Sequence, residues 1–272
     1  MLHFTKMHGA GNDFILMDNR IGNIHLARAA IAQLCDRHRG VGADGLMLLE
    51  RQSGNPPYFM RYYNSDGGQV EMCGNGARCF ARFAQRLLGE ACSSFLFDTV
   101  AGEIEARFEG ELVRLKMSQP KDLVLNQKIE LDTCTLTIHS INTGVPHVVV
   151  FIEGDLAEVP VTTWGRQIRQ HQLFHPSGTN ANFVSVTSQG DAGGGIEIRT
   201  YERGVEGETL ACGTGVVAAA LLANAVKGLQ APISVAVQGG DQLQVNFQAV
   251  NGQFEEIYLT GAGVFVFDGT VL

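Results

Sequence analysis

Residues 72–80 read MCGNGARCF and residues 211–216 read ACGTGV, so a Cys-Gly-small polar-Gly run occurs twice, each time opening an apolar stretch. The surroundings repeat as well. Cys73 lies sixteen residues before Gly89, and Cys212 sixteen before Gly228. The intervening ARCFARFAQRLL and VVAAALLANAVK are helix-length and end at a glycine suited to a C-terminal cap. Upstream, RYYNSDGGQVEMC is echoed by RTYERGVEGETLAC; downstream, AGEIEARFEGELVRL is echoed by GGDQLQVNFQAVNGQ. An Asn also precedes a strand in each half, in GNDFILMD (11–18) and TNANFVSVT (179–187). Two copies with so long a period point to duplication into two similar domains rather than a solenoid. The expected partition is 1–117 and 118–262, breaking near Ser118-Gln119-Pro120, with 263–272 returning to the first domain.

Local patterns fit an α+β class. Apolar alternation bounded by Gly, Asn or Asp predicts strands at 14–18, 45–50, 58–63, 102–117, 147–152, 182–187, 195–201 and 242–247. Helix formers with helical apolar spacing predict Leu26 to His38, Ala77 to Leu88, Thr163 to Leu173 and Val216 to Val226. Pro176 closes the third. Each half is expected to be a mixed sheet or partial barrel around a central helix. The active site then belongs in the cleft between two pseudo-symmetric domains.

Composition narrows the function. A length of 272 residues suggests about two domains, and 45% hydrophobic with 18% charged residues supports substantial cores. A net charge of −8 argues against nucleic acid, which needs a surplus of Lys and Arg. MLHFTKMHGAGNDF lacks the layout of a secretory signal, and the apolar runs are far short of a membrane span, so a cytoplasmic protein is expected. Six cysteines (35, 73, 79, 92, 134, 212) without C-x-x-C pairs disfavour a zinc cluster and are expected as free thiols.

Four of those cysteines read as small buried apolar groups, but Cys73 and Cys212 sit where a helix begins. The first N–H groups of a helix have no intrahelical partner and carry partial positive charge. A thiolate placed there is stabilised and becomes a usable base. Gly74, Gly76, Gly213 and Gly215 leave backbone amides unshielded toward an anion. A single C-G-x-G would be a structural turn; two in equivalent places suggest one thiol on either side of a substrate α-carbon. Such an arrangement inverts a stereocentre, one group removing the proton and the other returning it from behind. The helix N-termini would stabilise the charge developing on the carboxylate.

The chain resembles the diaminopimelate epimerase family. The resemblance runs in order through MHGAGNDF (7–14), RHRGVGADGL (37–46), YNSDGGQVEMCGNGARC (63–79), NTGVPHVV (142–149), GTNANF (178–183), YERGVEGETLACGTG (201–215) and a terminal GAG…DG (261–269). It implies an isomerase of lysine and peptidoglycan precursor synthesis that uses neither pyridoxal phosphate nor a metal. It implies Cys73 and Cys212 as bases, with His147 and Glu202 in the catalytic set. Gly74, Asn75, Gly213 and Thr214 would hold the reacting carboxylate; Asn12, Asn64, Asn180, Glu202 and Arg203 would hold the rest of a diaminopimelate substrate. A homodimer without nucleic-acid or membrane partners is also implied. These residue types suit the task, since Arg203 can fork onto a carboxylate and the asparagines both donate and accept.

Two positions depart from the family pattern. Val145 stands where many members have Asn, and Gly45 where many have Gln. Each removes a polar group, so a racemase of the same fold acting on another amino acid, such as histidine, is the nearest alternative. A thiol redox protein and a non-catalytic amino-acid-binding protein are the others. His171 and His175, spaced i, i+4 on the third predicted helix, lack the intervening Glu of a metal motif. Cys79 and Trp164 are expected to pack.

Overall fold

The computed structural model describes residues 1–89, 92–188 and 193–271. They fall into two compact units, Met1–Lys116 with Gly261–Leu272, and Met117–Thr260. The first comprises β1 (Leu2–Gly9), β2 (Asn12–Asn19), α1 (Arg28–Cys35), β3 (Gly45–Arg51), β4 (Tyr58–Asn64), β5 (Gln69–Val70), α2 (Gly74–Leu88), β6 (Ser94–Thr99), β7 (Gly102–Glu109) and β8 (Leu112–Lys116). The last strand, β18 (Val264–Val271), returns to pair with β1. Among the described residues its strands pair in the order β18-β1-β2-β3-β4-β6-β7-β8. The β2–β3 and β4–β6 pairs are parallel and the others antiparallel.

The second unit comprises β9 (Lys121–Glu130), β10 (Thr135–Asn142), β11 (Pro146–Phe151), α3 (Val161–Arg169), β12 (Asn180–Ser188), β13 (Gly194–Glu202), β14 (Gly207–Thr209), α4 (Gly213–Lys227), β15 (Ile233–Val237), β16 (Gln242–Val250) and β17 (Gln253–Ala262). Its order is β9-β10-β11-β12-β13-β15-β16-β17, again with the third–fourth and fifth–sixth pairs parallel. The two units therefore share one topology, a mixed sheet with α2 or α4 packed on it. The α+β duplication read from the cysteine segments is what the chain adopts.

Each central helix forms a core. In α2, Ala77, Cys79, Phe80, Ala81 and Ala84 are fully buried, and the Phe80 ring packs tilted against Phe97 and Phe95, with centroids at 4.9 and 6.3 Å. In α4 every residue from Val216 to Ala223 is fully buried, as expected of a helix that is apolar all round. The β2 run Phe14-Ile15-Leu16-Met17 is buried on both faces: Ile15 and Met17 cluster with Ile31, Leu34 and Cys35 of α1, and Phe14 lies against Gly76 of α2. Trp164 packs against Phe183 in the second unit's core.

Several expectations are corrected. The central helices begin at Gly74 and Gly213, three residues earlier than their apolar patterns. The first helix stops at Cys35, where the Asp36 carboxylate takes the amides of His38 and Arg39 at 2.8 and 2.9 Å and turns the chain. The third ends at Arg169; His171 caps a separate 3-10 turn, so the two histidines do not share an α-helix. The matched Asn-before-strand signals are also not equivalent. By sheet position β11 corresponds to β2, and β12 corresponds to β3. The strand that Asn180 opens lies beyond the crossover helix α3, whereas Asn12 opens the strand before α1.

Replacing Phe80 by Ala empties the centre of the first unit's aromatic cluster. The unfolding free energy is expected to fall by about 3–5 kcal/mol, measured by chemical denaturation.

Candidate active site

In the first unit Cys73 occupies the N-cap position of α2 in extended conformation, φ −140° and ψ 124°. The turn that follows is pressed onto the sheet. A Cβ on Gly76 would fall within the Met47 side chain, and one on Gly9 would lie 2.8 Å from the Asn75 carbonyl. The Cys73 Sγ–H donates to Asn12 Oδ1 at 3.5 Å, and Asn12 Nδ2 donates to Asp44 Oδ2 at 2.6 Å. Behind them Asp13 accepts both Arg37 guanidinium nitrogens at 2.9 and 2.7 Å and pairs with the buried Lys6 ammonium at 2.7 Å. Burial pushes the Asp13 carboxyl up, but the bonds and charges of Arg37 and Lys6 outweigh it and hold it well below the usual carboxylate range.

Asn75 is buried, and its Oδ1 accepts from the fully buried Arg78 at 2.9 Å. Asn64, at the end of β4, is exposed, and its Oδ1 accepts the Tyr62 hydroxyl at 3.1 Å. The Tyr62 ring occupies the space a side chain at Gly45 would need, with a Cβ there 2.6 Å from the ring. Gly45 thus leaves room for a tyrosine whose hydroxyl reaches Asn64.

In the second unit Cys212 occupies the N-cap position of α4, φ −120° and ψ 109°. Its Sγ lies 3.6 Å from Thr214 Oγ1, which lies 2.9 Å from His147 Nε2. The other ring nitrogen is 3.2 Å from Asn182 Nδ2, which also donates to the Val148 carbonyl at 2.8 Å, and Thr200 donates to Asn182 Oδ1 at 2.9 Å. Gly215 permits this packing, because a Cβ there would lie 2.5 Å from Asn182 Oδ1 and 3.4 Å from the His147 ring. Thr143 fixes the loop by donating to the Thr214 carbonyl at 2.9 Å. Burial, then the Arg203 charge, pushes the His147 pKa down to about 3, so the ring is neutral at ordinary pH.

Asn180, Glu202 and Arg203 gather at the adjoining ends of β12 and β13. Asn180 Nδ2 donates to the Pro146 carbonyl at 3.1 Å, and its Oδ1 accepts the Arg203 amide at 2.8 Å. Glu202 Oε2 accepts the Thr209 hydroxyl at 2.9 Å; burial raises its carboxyl above the ordinary value against that bond. In each unit the expected residues therefore lie around that unit's cysteine and neighbouring strand ends. Asn182, Thr200, Thr143 and Tyr62 escaped sequence reading. An Asn in mid-strand was the available signal for Asn182, since strands disfavour it. Among the described residues no cluster of three His, Cys, Asp or Glu could hold a metal ion, and no helix is long and apolar enough to cross a membrane.

Known proteins share this architecture. A phenazine-biosynthesis protein of Bacillus anthracis superposes with a TM-score of 0.75 at 16% identity, covering 100% of this chain and 99% of that one. A probable proline racemase from Agrobacterium radiobacter K84 gives 0.69 at 17%, covering 100% and 93%. Identities this low speak to the fold. The curated relatives go further: the diaminopimelate epimerase of Chlorobaculum tepidum is 40% identical over 97% of this chain and 99% of its own length. That of Hydrogenobaculum sp. is 39% identical over 97% and 96%. The chain is an enzyme, an isomerase of the epimerase kind. The family profile described as diaminopimelate epimerase matches residues 4–121 and 139–266, and the chain belongs to that family.

A buried neutral His147 links to stability. Folded His147 holds no proton until about pH 3, whereas in the unfolded chain it gains one below about 6.5. The unfolded state binds more protons in that window, so stability is whole above about pH 6.5 and declines as pH falls toward 3. His147→Gln is expected to remove this part of the slope, read from urea denaturation at stepped pH.

Proposed function

We propose that this enzyme interconverts LL- and meso-2,6-diaminopimelate by cofactor-independent proton transfer at the α-carbon, with Cys73 and Cys212 as the two bases. The supporting observation is that each of two units of one topology carries a cysteine at the N-cap of a glycine-opened helix. One sulfur, as thiolate, takes the α-proton; the other, as thiol, gives a proton to the opposite face of the carbanion. Charge delocalised onto the α-carboxylate is met by first-turn amides at Gly74, Asn75, Gly213 and Thr214, where helix N-termini favour an anion. Thr214 also touches Cys212, and the Asn75 side chain is turned inward, so Asn75 serves through its backbone.

The far end of the substrate is a second zwitterion. Arg203 forks onto its carboxylate, Glu202 pairs with its ammonium, and Asn12, Asn64 and Asn180 read the remaining donors and acceptors. His147 completes the catalytic set. The two compact units are the two epimerase domains, and a cytoplasmic homodimer feeding lysine and peptidoglycan precursors belongs to the same reading, on the family resemblance.

Incubation of single stereoisomers of diaminopimelate in deuterated water tests the reading. Deuterium is expected at the inverted α-centre. Exchange confined to histidine or another amino acid would reject the substrate and keep the chemistry, and activity that required a dithiol donor would favour a redox protein. Cys73→Ala and Cys212→Ala are each expected to lower epimerisation by about 10²–10⁴-fold. Near-normal inversion in either variant would sink the two-base scheme.

A further inference from the structure

The hydrogen-bond chain beneath Cys212 has one consistent direction. Asn182 is fully buried, and the Val148 carbonyl, which only accepts, fixes its Nδ2 as the nitrogen facing that strand. Its second N–H then points to His147 Nδ1 at 3.2 Å, so Nδ1 carries the lone pair. The Thr200 hydroxyl closes the other end by donating to Asn182 Oδ1. A neutral ring that accepts at Nδ1 bears its proton on Nε2, and Nε2–H donates to Thr214 Oγ1 at 2.9 Å. With that lone pair taken, the Thr214 hydroxyl is free to turn its proton to the Cys212 sulfur at 3.6 Å.

The first unit is built the opposite way. Register places Phe14 and Met47 where the second unit has His147 and Asn182, and those two side chains lie against Gly76 as His147 and Asn182 lie against Gly215. No such chain can run there. One polar contact at Cys73 is Asn12 Oδ1, an acceptor, since Asn12 Nδ2 is committed to Asp44.

We propose that Asn182 is a positioning residue that locks His147 in its Nε2–H tautomer, so that Thr214 donates to the Cys212 sulfur and the resting enzyme holds Cys212 as thiolate and Cys73 as thiol. This rests on the two-cysteine reading above and deepens it by assigning the resting proton. His147 is then a fixed neutral donor and passes no proton itself. Of the ionisable groups nearby, Arg203 acts on His147 and disfavours its cation, while burial and then the charge of Lys227, on α4, disfavour the cation of His139, on β10.

Nitrogen NMR of enzyme labelled with 15N-histidine, with the His147 signals assigned by their loss in His147→Gln, reads the tautomer without any variant of Asn182 and without activity. An unprotonated Nδ1 and a protonated Nε2 are expected; the reverse pattern or an imidazolium overturns the proposal. Asn182→Asp supplies an acceptor and should move the proton to Nδ1. Thr214 then donates back to Nε2, and alkylation of Cys212 by iodoacetamide near neutral pH, followed by peptide mapping, should slow about ten- to hundredfold while Cys73 is unchanged. Equal rates at both cysteines before and after the substitution overturn it. If Asn182→Asp does not fold, the wild-type tautomer decides alone. A wrong tautomer with deuterium exchange intact sinks this inference and leaves the epimerase reading standing; failed exchange with the expected tautomer does the reverse.

Discussion

A helix can start flush against a sheet only if its first turn carries almost no side chain. At Gly76 a methyl group would fall within the Met47 side chain, and at Gly215 it would collide with Asn182. Removing those atoms lets α2 and α4 sink until everything after the glycines is core: Ala77 to Ala81 in one, Val216 to Ala223 in the other. The same close approach fixes the chemistry. The residue before the first glycine must be extended to leave the sheet and enter the helix, as Cys73 and Cys212 both are. Its sulfur is thus carried to the end of the helix where amides have no partner. Stability and site derive from one packing constraint, and filling the turn would cost both.

Shared topology makes departures from symmetry informative. Register pairs Asn12 with Val145 and Asn180 with Gly45, since His147 aligns with Phe14. In each of these two pairs one unit carries an asparagine and the other a valine or a glycine. Gly9 and Thr143 form a third pair: the glycine approaches the Asn75 carbonyl directly, whereas the threonine donates to the Thr214 carbonyl. Backbone support of the helix start is common to the units; its side-chain means differ.

The duplication was legible because glycine and cysteine leave a strong local trace and the hairpins alternate cleanly. The strands β1 and β18 were not legible. Lys6 and Thr5 sit in a strand with apolar neighbours and read as surface groups, yet they are buried because Asp13 and Asp268 meet them from β2 and β18. Those partners lie 7 and 263 residues away, and local pattern cannot register the second. Helix starts were placed three residues late because glycine has poor helix propensity, and here tertiary packing overrides it. Asn182 was invisible for a related reason: its three partners, His147, Val148 and Thr200, come from β11 and β13, so only the folded sheet gives it a role.

Inverting a carbon centre by two-base chemistry requires one sulfur to be charged while the other is protonated. Two identical environments would leave one proton shared evenly between the sulfurs; unlike environments give that proton a preferred side. Helix N-termini serve a carboxylate equally well from either unit. The chain keeps its symmetry at the glycine-flanked helix starts and breaks it in the groups that touch sulfur. Phe14 and Met47 against His147 and Asn182 is where that break is built into the core. Being buried, these residues have little room to rearrange, so the difference between the surroundings of the two sulfurs is a standing property of the fold.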